Sequence, residues 1–224
     1  MWRSTQLAQI APNILREYCL RVVYLKIYSS LSTHTAFPCR CGWVHDDPIE
    51  IVYHDQEWGV PLHDDRKHFE FIILDGFQAG LSWLTILRKR DNFRNAFDQF
   101  NPEIVARYGE AKRQALLQNK GIIRNRLKIQ AAVTNAQAFL QVQEKYGSFD
   151  TYIWQFVTGE TIQNTWPTWA AAPTTTSTSD AMSKDLKKRG FKFVGSTICY
   201  AYMQAAGMVN DHVVGCFRHE ELAG

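Results

Sequence analysis

Long uncharged apolar runs are missing from this 224-residue sequence. The stretch that comes nearest, from Cys19 to Tyr28, is interrupted by Arg21 and Lys26, whereas a membrane helix needs about 20 consecutive apolar residues. No membrane span is expected, and no secretory signal, because no small-residue cleavage site closely follows that stretch. A surplus of either charge is missing too: 25 Lys and Arg stand against 22 Asp and Glu, a formal net charge of +3. Affinity for a polyanion must then come from where the cations sit, not from their total. Cysteines are few and odd in number, the five being Cys19, Cys39, Cys41, Cys199 and Cys216. That excludes a disulfide framework and points to a reducing compartment, the cytoplasm, with metal or core roles for the thiols. Strand-like alternation is almost absent, and no segment repeats. The 46% apolar and 21% charged residues that remain are those of a folded globular chain and exclude a disordered one.

Residues 1–40 contain a candidate amphipathic helix, Ile14 to Ser30, and a Ser/Thr-rich linker, SSLSTHTAFPCR. They are read as an appended or mis-started extension that carries no visible chemistry. One domain, residues 41–219, is expected to follow, with 220–224 as a tail. Its pattern is helical: DDRKHFEFIILDG has a capped start and apolar positions at Phe69, Ile72 and Ile73, and SWLTILRKR opens on a capping serine. Further helices fit PEIVARYG, AKRQALLQ, RNRLKIQAAVTNAQAFLQVQEKYG and SFDTYIWQFVTG. The segment NTWPTWAAAPTTTSTSD is too broken for regular structure, and its Ser/Asp end should cap a basic helix, AMSKDLKKRG.

Four features carry chemistry. Cys41 and His54 in CGWVHDDPIEIVYHDQEWGVP, and His212 and Cys216 in NDHVVGCF, make two thiolates and two imidazoles. His212 and Cys216 are placed to face one ion from adjacent turns, and the set of four suits a closed, tetrahedral structural zinc that leaves no position open for a catalytic water. Read singly, each of the four also fits an ordinary core or surface role. Asp75 stands in a strongly apolar run ahead of Gly76, Gly80 and Trp83; it either ends a helix facing water or is buried with a dedicated partner. The segment DAMSKDLKKRGFKFVGSTICYAYMQAAG joins a basic helix carrying Lys184, Lys187, Lys188, Arg189 and Lys192 to a second helix. Gly190 and Gly195 allow a hairpin whose amides can meet a phosphate. A second basic run holds Lys112, Arg113, Lys120, Arg124, Arg126 and Lys128. Both runs also fit solvated helix faces.

The motifs CGWVHDDP, YHDQEWGVP, GFQAGLSW, LKKRGFKFVGSTICYAYMQA and NDHVVGC, in that order, together resemble the 3-methyladenine DNA glycosylase I family, a branch of the helix-hairpin-helix glycosylases. The resemblance runs from Cys41 to about Cys216. It implies an all-α helix-hairpin-helix fold whose N- and C-terminal parts are joined by one zinc on Cys41, His54, His212 and Cys216. It further implies monofunctional excision of 3-methyladenine from double-stranded alkylated DNA by a monomer, releasing the free base and leaving an abasic site. Trp83 would be the stacking plate, Tyr53 and Asp75 the catalytic and base-binding partners of the adenine edge, and Trp43 and Trp58 the rest of the wall. Lys184, Lys187, Lys188, Arg189, Lys192 and Gly195 would hold DNA. The family usually has glutamate at the position of Asp75, so reach to the base is one methylene shorter here. Asp211, beside His212, is the second candidate acid. Ser196 and Thr197 follow the hairpin Gly195 where a lyase would carry a lysine. The alternative is a zinc-stabilised DNA-binding module without catalysis.

Overall fold

The computed structural model describes residues 38–223; the helix expected over Ile14 to Ser30 and most of the linker lie outside them. The described part is mostly helical. Helix α1 spans Pro48–Gln56, α2 Asp65–Gln78, α3 Trp83–Leu87, α4 Arg90–Ala96, α5 Pro102–Val105, α6 Glu110–Gln118, α7 Arg126–Tyr146, α8 Phe149–Trp154, α9 Ser177–Lys188, α10 Ser196–Ala205 and α11 Phe217–Glu221. Two dipeptide strands, β1 (Ile162–Gln163) and β2 (Val209–Asn210), pair in parallel.

Helix α2 organises the rest. Asp64 caps it by accepting from Lys67 N at 2.8 Å, and every residue from His68 to Phe77 is buried. The helix is buried on all sides although it carries His68, Glu70 and Asp75, and α7, α8 and α10 pack around it. Its rings continue into a cluster of Phe77, Phe93, Phe97 and Phe100, while Phe139 stacks on Phe149 at 4.2 Å. Asp75 is carried inside with them, so its reading as a solvent-facing helix end is wrong.

Several expected boundaries move. Helix α1 was not foreseen, although Asp47 caps it by accepting from Ile49 N and Pro48 occupies its first turn. PEIVARYG is helical only over Pro102–Val105. SFDTYIWQFVTG tightens into a 3-10 turn at Gln155–Val157 and stops at Thr158, which has φ 59°. The basic helix begins at Ser177, not at the Ala181 expected from AMSKDLKKRG, because Thr176 accepts from Ser179 N while Ser179 Oγ accepts from Thr176 N, a capping box. Thr176→Ala should cost about 1 kcal/mol, a fall in Tm of roughly 2–4 °C for a domain of this size; an unchanged melting curve would show that the box contributes nothing. At the crossing of α10 with the segment after α1, Gly207 has φ +66°, and an added Cβ would lie 2.3 Å from the carbonyl carbon of Val60. Only glycine fits there.

Candidate functional site

Trp43, Tyr53, Trp58, Asp75 and Trp83, the five residues expected to form one wall, do line a single cavity of about 190 Å³. A cavity of about 150 Å³ accepts one benzene ring, so this one has room for a single planar heterocycle of slightly greater size. The lining comes from separate elements: Tyr53 from α1, Asp75 from the last turns of α2, Trp83 from the start of α3. Tyr53 and Trp83 lie 5.3 Å apart between ring centroids, and Trp43 meets Trp58 edge-on at 5.2 Å. Ser82 accepts from Thr85 N and so fixes where α3 begins, which is what places Trp83 across from Asp75.

Three polar atoms here have no partner among the described residues. Asp75 Oδ2, Trp43 Nε1 and Trp83 Nε1 are buried without a protein hydrogen bond, and all three belong to cavity-lining residues. Burial pushes the Asp75 carboxyl well above its ordinary range, opposed by the Arg90 guanidinium. That guanidinium is already paired with Glu70 at 2.6 Å and Glu57 at 2.7 Å, so it offers limited relief. Burial, and after it the nearby Asp75, also raises Tyr53. A buried carboxyl and two indole N–H groups left without partners are expensive unless a ligand supplies them.

Five further lining residues were missed: Gln78, Trp169, Ala201, Gln204 and Ala205. Gln78 stands three positions after Asp75 and shares its helix face, and Ala201, Gln204 and Ala205 repeat at i, i+3 and i+4; both signals were legible. Trp169 lies in a segment without periodicity and gave none.

Cys41, His54, His212 and Cys216 are all buried, and their ligand atoms lie within 4.8 Å of one another. Three S···N edges define the cluster: Cys41 Sγ to His212 Nδ1 at 3.5 Å, Cys216 Sγ to His212 Nδ1 at 3.4 Å and Cys216 Sγ to His54 Nε2 at 3.5 Å. Tetrahedral zinc with Zn–S about 2.3 Å and Zn–N about 2.0–2.1 Å has S···N edges of roughly 3.5 Å. The outer ring nitrogens face acceptors: His54 Nδ1 is 2.7 Å from Asp55, itself gripped by Arg40, and His212 Nε2 is 2.9 Å from the Trp58 carbonyl oxygen. Each imidazole thus turns a lone pair inward, the tautomer a metal requires. The hydrogen bond between the two thiols draws Cys216 down to about 3 and pushes Cys41 up; a divalent cation is what would let both be thiolates. His212 and Cys216 do not meet from adjacent helical turns as expected. A loop after β2 brings His212 in, and Cys216 is the residue before α11.

Asp211, the second candidate acid, is fully buried and accepts from Asn164, Trp166, Tyr200 and Gln204 at 2.7–2.8 Å. Its oxygens are occupied in pinning the C-terminal loop. Among the expected DNA-contacting residues, Lys184, Lys187, Lys188 and Lys192 are exposed on α9 and the turn after it, and Gly195 precedes α10. Arg189 departs from them: it is half-buried, bonded to Asp185 at 2.6 Å and to Tyr146 Oη at 2.6 Å, and stacked on Tyr152.

Residues 43–219 match the family described as methyladenine glycosylase. The DNA-3-methyladenine glycosylase 1 of Escherichia coli (strain K12) is 55% identical over 177 residues, 79% of this chain and 95% of that protein. A crystal structure of 3-methyladenine DNA glycosylase I superposes with a TM-score of 0.78 at 54% identity, covering 80% of this chain and 98% of that one. A variant of 3-methyladenine DNA glycosylase I solved in complex with 3-methyladenine gives a TM-score of 0.77 at 35% identity, with 80% and 96% covered.

Proposed function

This chain belongs to the methyladenine glycosylase family, and from that premise we infer that it performs base-excision repair by releasing 3-methyladenine from alkylated DNA. The observation that carries the reading is the unpartnered, buried Asp75 carboxyl in a cavity walled by indoles. Adenine methylated at N3 is cationic while attached to the sugar, so the glycosidic bond is already weakened and the base leaves neutral. Little acid catalysis is required, and the protein's task is to extrude the nucleotide, stack the base and match its edge. A cationic base entering the cavity offsets the cost of ionising Asp75, whereas neutral adenine does not; discrimination follows from the same buried carboxyl. Trp83 stacks, Tyr53 and Asp75 meet the edge, and Trp43, Trp58 and Trp169 close the wall. The unit that does this is residues 41–219. The hairpin between α9 and α10 acts as a helix-hairpin-helix grip, with Lys184, Lys187, Lys188, Lys192 and the amides after Gly195 on the DNA backbone. One zinc on Cys41, His54, His212 and Cys216 serves as a structural staple whose four ligands leave no catalytic position.

The test is to incubate the protein with methylated duplex DNA and identify what is released. Free 3-methyladenine is expected, and its absence would leave the non-catalytic DNA-binding reading. The strand should remain intact, because no lysine among the described residues lines the cavity and Ser196 and Thr197 follow Gly195. Borohydride should trap no protein–DNA adduct; a trapped complex that disappears on replacing a particular lysine would make the enzyme bifunctional.

A further inference from the structure

The second basic run, Lys112 to Lys128, separates into two kinds of cation. Lys112 pairs with Asp98 at 3.0 Å and Arg113 with Glu110 at 2.9 Å. Lys128 is buried and donates to the carbonyl oxygens of Phe77 at 2.9 Å and Ala79 at 2.6 Å, at the end of α2 beside the cavity-lining Gln78. Lys120, Arg124 and Arg126 are exposed and form no ion pair among the described residues. All three sit on or beside the turn between α6 and α7. That turn is braced from within: Lys89 donates to the carbonyl oxygens of Lys120 and Gly121 at 3.3 Å each, Asn119 accepts from Gly121 N at 2.8 Å, and Ile122 is buried. Outward cations on a braced turn are pre-organised for a ligand carrying negative charge at fixed spacing.

Helix α7 fixes where this turn stands relative to the α9–α10 hairpin. At one point of α7, Lys128 holds the end of α2. At another, the buried Asn135 accepts from Lys192 N at 2.7 Å and donates to Lys192 O at 3.0 Å, holding the hairpin by its backbone. The two residues share a face seven positions apart, roughly 10 Å along the helix at 1.5 Å per residue. One helix, opened by Arg126, thus ties the turn to the hairpin. We propose that Lys120, Arg124 and Arg126 form a second backbone-phosphate grip, tied through α7 to the hairpin, so that the DNA backbone is fixed at two points. This rests on the reading of the protein as a DNA glycosylase.

Binding to a duplex with a stable abasic-site analogue, across a salt series, tests the grip without requiring excision. For Arg124→Gln with Arg126→Gln, the slope of log Kobs against log salt should become shallower by about 1.8, which is about 0.9 for each lost phosphate contact, while affinity for free 3-methyladenine stays at the parent value. Lys120→Gln should act in the same direction. Lys67→Gln, an exposed cation at the opposite end of α2, should leave the slope unchanged. Phosphate-ethylation interference should show two separate clusters, one of them lost in the double variant. A parental slope in the double variant, or a single interference cluster, overturns the grip; failure of the parent to release any base counts against the glycosylase reading instead.

Discussion

Cys216→Ser should yield a protein without bound metal whose Tm is lower by 10 °C or more. Structural zinc contributes an apparent ~10–16 kcal/mol in zinc-finger peptides, comparable to or larger than the ~5–15 kcal/mol that stabilises a whole domain. A loss of even about 5 kcal/mol lowers Tm by roughly 10–20 °C at this size. The effect should be large here because the four side chains join residue 41 to residue 216 across the domain, and Trp58 rests on His212 both by its ring, at 4.6 Å between centroids, and by its carbonyl, at 2.9 Å. Metal analysis of the parent should return one zinc per chain, and a chelator should reproduce the variant's melting curve. A zinc-free parent that melts at the same temperature as the zinc-loaded one refutes the staple. A zinc-free protein that stays folded but no longer excises would place the metal in the chemistry.

The second large effect is on base affinity. Trp83→Ala removes a stacking surface worth roughly 1–3 kcal/mol, so affinity for free 3-methyladenine should fall by about one to two orders of magnitude. Asp75→Asn should also weaken binding of the methylated base, because an amide cannot ionise to meet a cationic base as the carboxyl can. In the absence of ligand the same substitution should stabilise. The native carboxyl's pKa is raised by burial, so the native state retains its proton more strongly than the unfolded chain does. Stability is then fully present below about pH 4, the unfolded value, and is lost as pH rises toward the raised native value. Asparagine has no such loss. Its Tm advantage should be small below about pH 4, open above it and level off past the raised value. Equal melting curves at all pH values, together with unchanged base binding, would mean that Asp75 lines nothing.

How much of this was legible in the sequence depended on what each signal encodes. Periodicity located α2, α6 and α7 because their faces repeat at helical spacing. The four Cys and His residues and the five wall residues were singled out as sets because resemblance fixes identities, and the fold brings the members of each set together. Helix α1 went unseen because its segment was read for ligands, not for the Asp47–Pro48 cap. Trp169 was unreadable, since only tertiary packing brings a broken segment to the cavity. Arg189 and Lys128 carried the opposite lesson: charge in a run says nothing about direction, and both spend their donors on the protein itself. Asp75 needed the structure to choose between its two readings, because burial on all sides of α2 is a property of its neighbours.

The clasp formed by Cys41 with Cys216, and by His54 with His212, spans almost the whole domain, and this gives it a place in time. A ribosome adds about 5–20 residues per second, so roughly 10–35 s separate the emergence of its first ligand from its last. Throughout that interval Cys41 and His54 are exposed to the cell without their partners, and the indoles that lean on the two histidines have nothing to lean on. A nascent chain cut short before Cys216 holds the sequence of α2, α7 and the hairpin and yet lacks the residue that completes the set of four.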